Sequence, residues 1–282
     1  DKVDFLFVID NSISVGAEQN NLTNSFPEFI QTIQNQVVGD YHVMVVDTDP
    51  EDKWDEELTE CIEQDCPGEP PDEICGVLPP ENMWECGNLP VLDECDPTFG
   101  AGVDYSGVDD RMHCGIDNGQ RWFDDLQSNQ QQVFECIANL YAGNNPERTM
   151  DAVTTALSPE LVGPGGCNEG FLRDDAILVV TLITDEEDNS SPGTPAGWYQ
   201  NMLSAKANDP GAFVLLGLIN DTDAAMPICP AESQDPANLR EFVSMFPNHI
   251  FGSVCNTDGY GEFFADAVEL IDSTCDDFVP PG

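Results

Sequence analysis

Positive charge is what this sequence has least of. Eight Lys and Arg stand against 54 Asp and Glu, giving a formal net charge of −46 at pH 7. The basic residues are scattered singly, which excludes partners held through phosphate, nucleic acid above all, because phosphates need grouped Lys and Arg. Long apolar runs are missing too. The longest, Ala176–Val180 and Ala212–Leu218, fall far short of the ~18–20 residues of a membrane helix, so no transmembrane segment is expected. No basic stretch followed by an apolar core opens the sequence, so the expectation is a removed leader or an excised domain. Histidine is scarce, with three residues, and no CxxC pair occurs. A structural zinc site is therefore poorly supported.

Acid and cysteine are what the sequence has in excess. Self-repulsion of this size weakens a folded state unless salt, bound divalent cations or cross-links offset it. A solvated surface of halophile or marine type is the plainer account of the charge. Eleven cysteines point to disulfides in an oxidising, extracytoplasmic setting, secreted or on the cell surface. Eleven is odd, which leaves at least one thiol free or paired between chains. Cys136 and Cys167, and Cys229 and Cys255, are candidate pairs from their places around neighbouring elements.

Two kinds of sequence alternate along the chain. Val3–Ile9 reads as a strand buried on both faces, and residues 17–36 carry Leu22, Phe26, Phe29, Ile30 and Ile33 at helical spacing. Tyr41–Val46 is a second strand. Residues 49–117 then break the pattern with six cysteines, many acids and two Pro-Pro pairs, and read as a disulfide-pinned acidic insertion. Residues 120–141 suit a helix with Trp122, Leu126, Val133, Ile137 and Leu140 inward, followed by a short helix over Glu147–Leu157. Ala176–Ile183 is the clearest buried strand. Helix (195–207), strand (212–219), helix (237–246), strand (249–254) and helix (262–273) complete the series. Such alternation predicts an α/β fold: a doubly wound, mostly parallel sheet with helices on both faces. Residues 1–48 and 118–278 form the main domain, 49–117 the insertion and 279–282 a tail.

In such sheets ligands sit beyond the carboxyl ends of the strands. Those ends are Asp10, Asp47, Asp185 and Asn220. The first strand runs directly into Asp10-Asn11-Ser12-Ile13-Ser14. A carboxylate and two hydroxyls alternating along one turn offer an oxygen-only site for a hard cation, Ca2+ or Mg2+. A helix N-cap explains the same pentad in isolation. Thr184-Asp185-Glu186-Glu187-Asp188 brings further carboxylates to the same edge. Asp47, Asp49 and Asp188 are candidates for a second cation, or solvated loop acids. His42 and His249 read as strand-end residues rather than catalysts.

These blocks, DFLFVIDNSIS (4–14), YHVMVVDTD (41–49) and AILVVTLITDEED (176–188), resemble the von Willebrand factor type A domain with its metal-ion-dependent adhesion site. The segments Phe134–Leu140, Gly170–Arg173 and Thr184–Asp188 are similar to secreted or lipoprotein-anchored bacterial versions. The resemblance implies a metal site of Asp10, Ser12, Ser14 and Asp185. It also implies cation-dependent binding of another macromolecule. One position departs: where the family supplies a Thr from a middle loop, this sequence aligns Glu147, with Thr149 two residues on. Glu147 is either an acid in the first turn of a helix, favoured by the dipole, or a further ligand. As a ligand it makes three carboxylates against a doubly charged ion, favouring Ca2+ over Mg2+ and repelling an acidic partner.

The function expected is an extracytoplasmic divalent-cation-binding interaction or adhesion module for a protein or glycan. The alternative is a structural subunit of a surface layer, fibre or appendage that contacts copies of itself with calcium screening its charge. An enzyme is not expected, because no Ser–His–Asp set or catalytic His lies near the acidic edge.

Overall fold

The computed structural model describes residues 2–12, 16–36, 39–49, 94–107, 113–140, 147–230 and 233–280. Six strands form one sheet: β1 (Lys2–Ile9), β2 (Asp40–Asp47), β3 (Phe123–Asp124), β4 (Ile177–Thr184), β5 (Phe213–Ile219) and β6 (His249–Ser253). Their order is β3-β2-β1-β4-β5-β6, with β3 antiparallel to β2 and every other pairing parallel. The helices are α1 (Gly16–Gln36), α2 (Gln130–Ile137), α3 (Thr149–Ala156), α4 (Pro159–Val162), α5 (Pro195–Ser204), α6 (Ala237–Ser244) and α7 (Gly261–Asp277).

Alternation along β1 decides which helices cover which face. Val3, Phe5, Phe7 and Ile9 join a core built with α1, α2 and α7, through residues such as Phe26, Phe29, Phe134 and Phe264. Leu6 and Val8 join a second core with α3, α5 and α6, through Met150, Trp198, Met202 and Phe242. Strands sandwiched in this way must be apolar on both faces, and β4 and β5 are buried at every residue. The helices therefore lie on both sides, as the alternation predicts.

The same face of β1 carries Asp4, which is fully buried. Its carboxylate accepts hydrogen bonds from the Arg173 backbone N–H (2.8 Å) and Nε (2.7 Å), with Lys206 Nζ at 3.5 Å. Lys206 in turn donates to the carbonyl of Ala176 at 3.0 Å. His42 joins this group from inside β2, its Nδ1 donating to the Phe171 carbonyl at 2.9 Å and its ring stacked on Trp122 at 3.8 Å. His42 is thus a buried residue of the strand interior, not a strand-end residue. Burial lowers the pKa of both His42 and Lys206.

Three sequence expectations are corrected. The helix over 120–141 is only Gln130–Ile137; before it, Phe123 and Asp124 pair with Val43 and His42, and Leu126 sits in a turn with 80% of its surface exposed. Cys136 bonds to Cys114 and Cys167 to Cys95, not to each other, because residues 94–107 and 113–117 return to the main core between them; Cys229 bonds to Cys255. This part of the expected insertion packs against the main domain. Val103, Tyr105 and Ile116 are core residues, and the Val103 N–H donates to Val45 of β2 at 2.8 Å. Gly102 allows this approach, since a Cβ there would meet the Arg121 carbonyl at 2.1 Å. The buried Asn168 holds the segment by accepting from the Gly102 N–H and donating to Gly100 and Ala156 carbonyls, all at 2.9 Å. Residues 50–93 and 108–112 of the expected insertion lie outside the described residues.

Three disulfides among the described residues fit an oxidising compartment. Cys275 is a free thiol among them, and it is buried, its pKa pushed up to about 11 by that burial. No described helix is long and apolar enough to cross a membrane.

Candidate metal centre

The chain leaves β1 toward β2 by way of α1 on one face, and leaves β4 toward β5 by way of α5 on the other. In sheets of this topology ligands bind in the crevice outside the carboxyl ends of the strands at such a switch point, here between β1 and β4. Asp10 stands at one side of this switch point and Asp185 at the other. The β1–β4 ladder continues one step past the strand, with the Asp10 N–H donating to the Ile183 carbonyl at 2.9 Å.

Asp10 has no exposed surface. One carboxylate oxygen accepts from the Ser12 N–H at 2.7 Å and the other from the Thr184 hydroxyl at 2.6 Å. The Ser12 hydroxyl also bonds to this carboxylate. Gln19 of α1 fixes the turn, donating to the Asp10 carbonyl at 3.2 Å. Burial raises the Asp10 pKa, and the Thr184 and Ser12 hydrogen bonds pull it back in part.

Glu147 lies just before α3, not in its first turn, and only 4% of its surface is exposed. Thr48, at the end of β2, donates its hydroxyl to Glu147 Oε2, and its carbonyl accepts from the Arg148 N–H at 2.8 Å. Glu147 Oε1 is buried with no hydrogen-bond partner among the described residues. Burial first, then the charges of Asp10, Asp49 and Asp47, push the Glu147 pKa up to about 9. Glu186 is raised likewise, by burial and then by Asp10 and Asp185.

Asp188 has another task. Its oxygens accept from the N–H groups of Met150 (2.8 Å), Ser190 (3.2 Å) and Ser191 (2.8 Å). It caps α3 and ties the Glu147 segment to the loop after β4. Asp47 and Asp49 contribute through charge, beside Glu147.

The donor set fits a hard divalent cation in one respect and stops short in another. Asp10 and Glu147 are two neighbouring buried carboxyls, neither ion-paired to a basic side chain among the described residues. Buried charge of this kind needs a proton or a cation, and Glu147 Oε1 is an acceptor with nothing to accept. Yet no three Asp, Glu, His or Cys side chains among the described residues are grouped closely enough to hold a metal as they stand. Asp10, Ser12 and Glu147 come together; Asp185 does not complete a three-acid cage with them. Ser14 lies outside the described residues. The Thr48 and Thr184 hydroxyls are the residues the sequence reading passed over, although each adjoins a strand-end acid.

His42 and His249 belong to the other edge, being the third residue of β2 and the first of β6. No protein-family model and no curated protein matches the chain in sequence. Among solved structures it is similar to proximal thread matrix protein 1 (PTMP1) from the mussel byssus. That alignment has 11% identity and a TM-score of 0.44, and covers 97% of this chain and 48% of that one. The chain thus spans about half the length of that protein, and at this TM-score the likeness carries no argument.

Proposed function

We propose that the protein is an extracytoplasmic, divalent-cation-binding interaction module of the von Willebrand factor type A kind, with Ca2+ as the preferred ion. The observation that carries this reading is the pair of buried carboxyls of Asp10 and Glu147 at the switch-point rim, without a basic side chain to pair them among the described residues. A cation there would be held by Asp10, the Ser12 hydroxyl and Glu147 Oε1, with Asp185 across the crevice. When bound, it would neutralise the rim and offer a partner an oxygen-seeking contact. Because Glu147 adds a carboxylate where a hydroxyl would leave the shell less charged, the ion is held tightly and an acidic partner is disfavoured. A protein or glycan presenting neutral oxygens is the better match. Binding is preferred over hydrolysis because the strand histidines stand at the far edge of the sheet.

Calorimetric titration of Ca2+ and Mg2+ into the wild type and Glu147→Thr tests this. The wild type is expected to bind Ca2+ more tightly than Mg2+. The variant is expected to lose about tenfold in Ca2+ affinity, about 1.4 kcal/mol, with Mg2+ changed less. Equal Ca2+ affinity in the two proteins would remove Glu147 from the site.

A further inference from the structure

The loop after β5 has a construction that the cation site does not use. Asp221 folds it back on itself: its carboxylate accepts from the Ile228 and Cys229 N–H groups, both at 2.8 Å, and its carbonyl from the Ala224 N–H at 2.8 Å. The Cys229–Cys255 disulfide anchors the returning limb to the chain beyond β6. Arg240 of α6 braces the outgoing limb, pairing with Asp223 at 2.8 Å, donating to the Asn220 carbonyl and lying over the Phe251 ring at 5.1 Å.

What these braces hold up is apolar. Ala224-Ala225-Met226-Pro227-Ile228 is exposed throughout, with Met226 88% and Ile228 57% accessible. Five apolar residues in a row have no reason to face water in a loop this well tied, unless they meet something. A braced loop loses little freedom on docking, so its apolar surface converts efficiently into affinity. The loop leaves β5 beside the end of β4, on the same rim as Asp10 and Asp185.

We infer that residues 224–228 form a docking knob for a partner protein whose surface is apolar at the centre and basic at the edge. Charge selects this occupant. A chain of net charge −46 repels a second copy of itself and an anionic membrane, and attracts a basic rim. The knob is a contact through side-chain carbon, separate from any cation, and stands whether or not the rim binds Ca2+.

The test uses a synthetic amphipathic helix of Lys and Leu as a stand-in for such a surface, beside a Glu/Leu helix and a Lys/Ser peptide. Binding is measured by amide NMR and calorimetry at physiological ionic strength, in EDTA, for the wild type and the Met226→Ser/Ile228→Ser double variant. Both side chains are in solvent, so the variant is expected to unfold at the wild-type temperature; Met226→Gln alone serves if it does not. The Lys/Leu helix is expected to bind the wild type about tenfold more tightly than the double variant. Shifts should centre on 224–228, with Glu/Leu silent and Lys/Ser equal for both proteins. Equal Lys/Leu affinity, or shifts centred elsewhere, would overturn the knob. Self-association in sedimentation velocity that the variant abolishes would overturn the choice of partner in favour of a second copy. Vesicle binding lost in the variant would overturn it in favour of lipid.

Discussion

Replacing Asp4 with alanine is expected to lower the stability of the protein by about 3–5 kcal/mol, the usual cost of breaking a buried ion pair from one side. For a domain of this size that is a fall in Tm of roughly 10 °C. The cost arises from what is left behind. Arg173 Nε and the Arg173 N–H lose their acceptor, and Lys206 Nζ loses the carboxylate 3.5 Å away, in a pocket that already lowers its pKa by burial. The three residues join β1, the turn leading into β4 and the segment after α5, so the loss is felt between elements rather than within one. Asp4→Asn keeps an acceptor for the Arg173 N–H and is expected to cost less than Asp4→Ala. Adding Lys206→Met to Asp4→Ala is expected to recover part of the loss, because the stranded cation goes with it. Urea unfolding of the four proteins checks this; a change below about 1 kcal/mol in Asp4→Ala would show that the network does not stabilise the sheet.

Calcium is expected to stabilise the protein by an amount that grows with pH. Burial and the neighbouring acids push the Glu147 pKa up to about 9, above its ordinary value of 4.5. A carboxyl raised in this way is protonated on folding, so its contribution is complete below pH 4.5 and is lost progressively as pH rises toward 9. A cation that takes the proton's place removes this loss. At a free Ca2+ concentration a hundred times the dissociation constant the gain is about 2.7 kcal/mol, or roughly 5–10 °C in Tm. Thermal unfolding between pH 5 and 9, in EDTA and in Ca2+, should give curves that diverge toward alkaline pH. Glu147→Gln cannot ionise and should flatten the EDTA curve. Parallel wild-type curves would mean that the ion does not compete with the Glu147 proton.

The central strands β1, β2, β4 and β5 were legible because they are buried along nearly their whole length and are therefore largely apolar on both faces. VDFLFVI in β1 and ILVVTLI in β4 are runs of this kind. The strand-end acid Asp10 was legible for the same reason, since it closes such a run directly. Elements defined by a partner rather than by a pattern were not. Phe123 and Asp124 make a two-residue strand only because β2 lies beside them, and a helical reading of 120–141 followed from the spacing of Trp122, Leu126 and Val133, although Leu126 sits exposed in a turn. Residues 94–107 and 113–117 have no periodicity because they are held one at a time, by Val103 on β2, by Asn168 and by two disulfides. Cysteine spacing carries no connectivity, so Cys114 as the partner of Cys136 was beyond reach.

The site divides in the same way. Thr48 and Glu147 are 99 residues apart and meet only because α3 packs at the end of β2. The sequence offered Glu147 as an acid in place of a hydroxyl, but not the hydroxyl that holds it or the orphaned oxygen that results. Asp188 looked like one more acid in a run of four. Its capping of α3 depends on Met150, whose place beside it is a matter of tertiary packing.

The most direct test of the cation at the rim is a calorimetric Ca2+ titration at pH 7.5 in two buffers of different ionisation enthalpy. One ion per chain is expected, with about one proton released as Ca2+ displaces it from the buried pair, and both signals are expected to vanish in Asp10→Asn. Ca2+ heats in Asp10→Asn equal to those of the wild type, or a wild type that binds without releasing a proton, would contradict the account.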